Sequence, residues 1–321
     1  MDKELVRASE IAIKDCMGAQ PGEKILVVSD VNKREIGTTL FDTAVNLGFD
    51  AIYMEMQPGI INGEEPPEVV AELMKKYDVV LAPLTKSITH TDARRNASKE
   101  GARIATFPGI TKDAMVRGLN ADYNKIAALT LKLKAMMEET KIIRVTAPNG
   151  TDISMDITGR TTIPSKGLFH KKGESGNLPT GEAFAAPLEG KSNGVFVVDG
   201  SMAGIGVLDG ETIRIEVEDG YATEITGGEK AEILRKMLDE VGKDARNIAE
   251  IGIGTNDKVE LSGLLLEDEK KLGTIHIALG NNVSMGGHVN VPIHLDGVVK
   301  NPSVYFDDKK IMEDGNLFVT V

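Results

Sequence analysis

The stretch KILVVSDVNKREIGTTLFDTAVNLGFDAIY, Lys24 to Tyr53, decides the fold. Its ends are short, β-prone apolar runs, Ile25-Leu26-Val27-Val28 and Ala51-Ile52-Tyr53, without polar alternation, as in strands covered on both faces. Between them Ile36, Leu40, Ala44 and Leu47 recur at helical spacing over residues 33–47. The pattern continues through Val79-Val80-Leu81 and Ile104-Ala105-Thr106 to about Gly109, with Pro66-Pro67 opening a helix where a missing amide proton is harmless. Strand, helix, strand in succession predicts right-handed crossovers and a doubly wound, mostly parallel sheet.

A helix rich in Leu and Met spans Tyr123 to Glu139, and beyond Thr140 the pattern changes to hairpins. Ile143-Arg144-Val145 and Ile153-Ser154-Met155 flank Asn149-Gly150, and strands over Thr212–Val217 and Ala222–Ile225 flank Glu218-Asp219-Gly220. Residues 229–241 read as an amphipathic helix with Ile233, Met237 and Val241 on its buried stripe. Strands at Ile248–Ile253, Ile275–Leu279 and Ile293–Val298 and a hairpin at Asp314-Gly315 complete the chain. The expected organisation is an α/β domain over 1–140 and an α+β domain with a mixed or antiparallel sheet over 141–321.

The 321 residues are 41% hydrophobic and 27% charged, the balance of a soluble globular protein. A formal net charge of -12 repels nucleic-acid backbones and anionic membranes. Acidic runs such as Glu267-Asp268-Glu269 read as solvated faces. The single cysteine, Cys16, excludes an internal disulfide, and it falls on an apolar helical face with Leu5, Ile13 and Met17. Charges scattered through the N-terminal segment argue against a secretory signal or anchor, so a cytoplasmic location is expected. Ser29-Asp30-Val31-Asn32 follows the first strand in place of a G-x-G-x-x-G turn, and no phosphate-binding loop occurs, so dinucleotide binding is not expected. In SITHTDARR, Thr91 is the expected N-cap, and His90, Arg94 and Arg95 could either meet an anionic group or serve capping and surface pairs.

Chemistry gathers in TIHIALGNNVSMGGHVNVPIHLDGVV, Thr274 to Val299, which holds three of the five histidines. Residues two apart on a strand share a face, so His294 and Asp296 point one way while Ile293 and Leu295 enter the core. His276, on a similarly patterned strand, supplies a second imidazole, and glycines 280, 286 and 287 permit the intervening turns; His288 lies in the loop. Glu182 and Glu250 stand in apolar surroundings, where an ionised acid needs a partner: a metal ion, or a lysine or arginine. Glu182, Glu250, His276, His294 and Asp296 suit a pair of divalent ions with Glu250 as the bridging carboxylate, and hydrolysis by an acidified water is the natural output. The contrasting reading is a closed, structural metal site in a non-catalytic binding protein, against which the absence of a thiolate cluster argues.

GNLPTGEAFAAP (176–187), AEIGIGTN (249–256), HIALGNN (276–282) and HLD (294–296), together with THTDARRNASKEGARIATFPGI (89–110), resemble in order and spacing the motifs of the aminopeptidase T (M29) family of metallo-aminopeptidases. The resemblance implies two divalent ions (zinc, cobalt, manganese or magnesium) on those five ligands, a short-peptide or small-molecule substrate, and a homodimer. It departs at Val283, where the family has a tyrosine, with Tyr305 as a substitute hydroxyl. A second branch of the same fold is similar to 2,5-dihydroxypyridine dioxygenases. That likeness implies a single Fe(II) on His276, His294 and Asp296, the facial triad that leaves positions open for oxygen and substrate.

Overall fold

The computed structural model describes residues 2–321. The chain divides into two compact units, Met1–Ala127 with Gly167–Thr180, and Ala128–Lys166 with Gly181–Val321. This differs from the single crossing expected near residue 140. The helix Tyr123–Glu139 straddles the division, and a later segment returns to the first unit. No helix among the described residues is long and apolar enough to cross a membrane.

The first unit is built on a five-stranded parallel sheet in the order Asp50–Met56, Lys24–Asp30, Val79–Leu84, Arg103–Pro108, Ser175–Asn177. Leu26, Val28, Val80, Ala82 and Ile104 pack on one face with Val70 and Met74 of helix Glu68–Met74 and Ala93 and Ala97 of helix Asp92–Lys99. Helix Lys3–Ile11 packs against both Arg34–Asn46 and Lys112–Leu119, and Arg34–Asn46 also lies against strand Lys24–Asp30. Thr91 caps its helix as expected, its hydroxyl accepting the Arg94 amide proton. Cys16 is buried in a π-helical turn, and burial pushes its thiol well above the ordinary range.

In the second unit both sheets are antiparallel. One has eight strands, beginning with the hairpin Ile142–Thr146 and Asp152–Asp156; the other has seven. Their inner faces share one core: Ile143, Val145, Phe196 and Ile215 from the first meet Ile251, Ile253, Ile275 and Ile277 from the second. Helix Glu229–Val241 adds Ala231, Leu234 and Leu238 to that core. The expected stripe is therefore rotated, with Met237 and Val241 at its margin and Ile233 exposed.

Candidate metal centre

Four neighbouring strands of the seven-stranded sheet carry the five candidate ligands: Glu182–Ala185, Ile248–Gly254, Thr274–Gly280 and His294–Lys300. Gly254 pairs with Glu182, Gly252 with both Phe184 and His276, Ala278 with both Glu250 and Asp296, and Gly280 with His294. Side chains of paired residues share a face, and the strand period of two carries that face along each strand. All five acids and imidazoles therefore emerge on one side, while Ala183, Ile251, Ile253, Ile275, Ile277, Leu279 and Leu295 enter the core on the other.

Small residues on the ligand face make the room. A Cβ at Gly252 would lie 2.1 Å from His276 Nε2, so the imidazole rests on bare backbone. A Cβ at Gly254 would lie 2.1 Å from the Lys271 carbonyl oxygen, so a glycine lets the 269–271 segment cross the end of that strand.

Glu250 is the hub. His276 Nε2 lies 3.0 Å from its Oε1 and His294 Nε2 3.3 Å from its Oε2. His294 Nε2 also lies 3.4 Å from Asp296 Oδ1, and His276 Nε2 lies 3.5 Å from Glu182 Oε2. Ligand atoms fall within 4.8 Å of one another in three sets: Glu182, Glu250 and His276; Glu250, His294 and Asp296; Glu269, His276 and Asp296. His294 Nδ1 sits 2.7 Å from the Asn281 carbonyl, which can only accept, so Nδ1 carries the proton. Its Nε2 is thereby aimed at two carboxylates, where only a proton or a cation makes the approach favourable. Glu182 Oε2, His276 Nδ1 and Asp296 Oδ1 are buried without a hydrogen-bond partner. Two imidazoles, four carboxylates and three orphaned buried atoms on one enclosed face fit a divalent cation.

The electrostatics follow from this crowding. Burial opposes charge on His276, but the hydrogen bond it donates to Glu250 and the Glu182 carboxylate outweigh it and hold its pKa up at about 9. Burial likewise opposes charge on His294, and Asp296 and Glu250 keep it well above the ordinary imidazole value. Burial would raise Glu250 and Asp296, yet the histidines win and hold both carboxyls below their usual range. Glu182 is raised by burial, which Lys270 only partly offsets, and Glu269 is pushed up to about 8.

Two residues of this centre, Lys270 and Glu269, are not among the expected ligands. Glu182 does have a cation beside it, the buried ammonium of Lys270 at 2.5 Å. Lys270 also pairs with Glu269, the end of an acidic run expected to be solvated. That run is instead enclosed: Glu267 accepts the Glu260 amide and the Ser262 hydroxyl, and Asp268 accepts the Ser262 and Gly263 amides. Loop amides and the Ser262 hydroxyl satisfy these two buried carboxylates.

Other candidates lie elsewhere. Tyr305 belongs to the eight-stranded sheet, its ring beside Arg144 and Lys310, and so offers the centre no hydroxyl. His288 is exposed in the loop following Gly280, and its backbone amide donates to Glu189. The Glu189 carboxylate also accepts from Asn282 and pairs with Arg160, which fastens the loop that presents the Asn281 carbonyl. In the first unit, Arg94 donates to the Thr89 carbonyl and the Ser175 hydroxyl, and Arg95 pairs with Asp92.

The family comparisons reverse the order in which the sequence ranked its two resemblances. A curated 2,5-dihydroxypyridine 5,6-dioxygenase of Pseudomonas putida is 24% identical over 247 residues, covering 73% of this chain and 69% of the relative. The solved structure of 2,5-dihydroxypyridine dioxygenase from Pseudomonas putida KT2440 superposes with a TM-score of 0.83 at 18% identity, covering 98% of this chain and 97% of that one. AmpT from Thermus thermophilus superposes over 99% of both chains with a TM-score of 0.64, also at 18% identity, a likeness of fold alone. The expectation of a hydrolase, an aminopeptidase or a metalloprotease is therefore withdrawn. The sequence profile of the NicX family, 2,5-dihydroxypyridine 5,6-dioxygenase, matches residues 4–319, and the chain belongs to that family.

Proposed function

We propose that this chain is a ring-opening dioxygenase for a small hydroxylated aromatic substrate of the dihydroxypyridine type, using one ferrous ion held by His276, His294 and Asp296. The family match over residues 4–319 carries the reading. Two imidazoles and one carboxylate on the shared face of adjoining strands give it a ligand set. Pairing of Glu182 with Lys270 also removes the reason for a second ion, since that acid already has its cation.

Ferrous iron, when bound, supplies the one-electron chemistry that lets dioxygen react with a closed-shell ring. The chain's own contributions are orientation and proton handling. The Asn281 carbonyl fixes the His294 tautomer, leaving Nε2 free to coordinate. With the histidines so engaged, Glu250 gives up its imidazole partners, and its Oε1 and Oε2 are free to take the proton of a substrate hydroxyl. Glu250 stays ionised for that task, the charge of an ion held by the histidines taking the place of the imidazoles that hold its carboxyl down in the metal-free chain. Lys270 holds Glu182 to one side through the buried ion pair.

The test is anaerobic loading with ferrous iron, then oxygen uptake with 2,5-dihydroxypyridine and mass analysis of the product formed under heavy-isotope dioxygen. The expected result is iron-dependent uptake, loss of ring absorbance and entry of both oxygen atoms, all abolished by His294→Ala and Asp296→Ala. Iron-loaded protein that consumes no oxygen with dihydroxypyridines or dihydroxybenzenes would overturn the proposal.

A further inference from the structure

The donor set is larger than one ion needs. Glu182, Glu250 and His276 form one set of three within 4.8 Å, and Glu269, His276 and Asp296 form another. A buried cluster with this many carboxylates attracts more than one positive charge. One such charge is covalently built in: Lys270 Nζ contacts Glu182 Oε1 at 2.5 Å and also contacts Glu269, so its single ammonium joins an acid from each set. The Lys270 side chain is only 3% exposed, and its backbone is brought there by the close crossing over Gly254.

We infer that the Lys270 ammonium takes the place of a second divalent ion and thereby fixes this centre as mononuclear. The inference rests on the one-ion reading above and adds its cause. Lys270 donates to carboxylates and lies outside the proposed triad, so it is a positioning residue whose effect is read in metal count. An ammonium and a divalent ion both satisfy carboxylate oxygens, but only the ion also accepts an imidazole lone pair. With the ammonium present, the Glu182 and Glu269 oxygens it engages are occupied. Removing its charge while keeping a similar apolar volume, as in Lys270→Met, leaves those oxygens for a metal.

The experiment is metal count per chain after equilibrium dialysis against manganese(II), by elemental mass spectrometry, with electron paramagnetic resonance of the same samples. The wild type is expected to hold one ion and give an uncoupled manganese spectrum. Lys270→Met is expected to hold two and give an exchange-coupled one, and Lys270→Met with Glu182→Gln to return to one. Two ions in the wild type, one in a folded Lys270→Met, or two in the double variant would each overturn the inference. If Lys270→Met folds only when manganese is added, the ion has replaced the ammonium, which supports it. Failure to fold at any manganese concentration counts against it. A wild type that holds one ion but consumes no oxygen would remove the dioxygenase reading and leave the role of Lys270 intact.

Discussion

Gly252→Ala tests the candidate centre at its tightest contact. The new Cβ would sit 2.1 Å from His276 Nε2 and 2.2 Å from its Cε1, against an ordinary contact of 3.4 Å, so the ring must withdraw by about 1.3 Å. His276 is fully buried on a central strand with Ile275 and Ile277 packed in the core, so the backbone has little freedom to follow. Overpacking of this kind costs about 1–3 kcal/mol. In a unit of this size each kcal/mol lowers the melting temperature by roughly 2–4 °C. The larger effect falls on the metal: a displacement of about 1 Å at a reacting centre can cost on the order of a hundredfold in rate, and disturbing a ligand's setting typically costs about 10–100-fold in metal affinity. Ferrous or manganese titration of the metal-free variant, with a thermal melt beside it, reads both quantities. A variant that melts a few degrees lower but binds metal within about twofold of the wild type would refute the placement of His276 in the ligand set.

Metal affinity should rise with pH. With the His276 pKa raised to about 9 and that of His294 also raised, both rings are charged in the metal-free protein at neutral pH, and binding must expel those protons. Proton release measured by calorimetry in buffers of different ionisation enthalpy should be substantial near pH 7 and fade above about 9; release that does not change over this range would contradict the ring assignments. The sign is opposite for stability without metal. The raised His276 pKa stabilises the fold fully below the ordinary value of 6.5 and loses that contribution as pH climbs through about 9, so the metal-free melting temperature should fall over this window. In the first unit, the buried Tyr123 hydroxyl donates to the Gly118 carbonyl and accepts the Thr180 amide. Tyr123→Phe removes both bonds, and urea unfolding should show a loss of about 0.5–1.5 kcal/mol for each; no measurable loss would mean that the hydroxyl contributes nothing net.

What the sequence made legible was whatever a period announces. Ile25–Val28, Val79–Leu81 and Ile104–Thr106 are apolar because both faces of the parallel sheet are covered there, whereas the edge run Ala51–Tyr53 is half-buried with Ile52 exposed, and the strands extend a few residues beyond those runs. His276, His294 and Asp296 were legible because a two-residue period fixes their face. Lys270 and Glu269 were not, because their position depends on a segment crossing Gly254, a contact that no local pattern encodes. Glu267 and Asp268 misled for a related reason: a charge run looks the same whether its oxygens meet water or the amides of a loop at residues 260–263. Helix Glu229–Val241 shows the limit of periodicity itself, since Ile233 and Leu234 are equally apolar neighbours and only packing selects the second.

The short strand Ser175–Asn177 bears on how this chain can be divided. It closes the edge of the parallel sheet beside Arg103–Pro108, with Ile104 donating to the Glu174 carbonyl and Leu178 to the Thr106 carbonyl. A fragment ended at residue 140 would carry the first four strands yet leave Ile104, Ala105 and Thr106 as an open, apolar border, a template for pairing with other copies. Such a fragment is expected to clump, and one that also supplies residues 167–180 is expected to stay monodisperse. Recombination between relatives of this chain therefore has to exchange two separated stretches together, since a single crossover near the middle would hand one parent's sheet the other parent's edge.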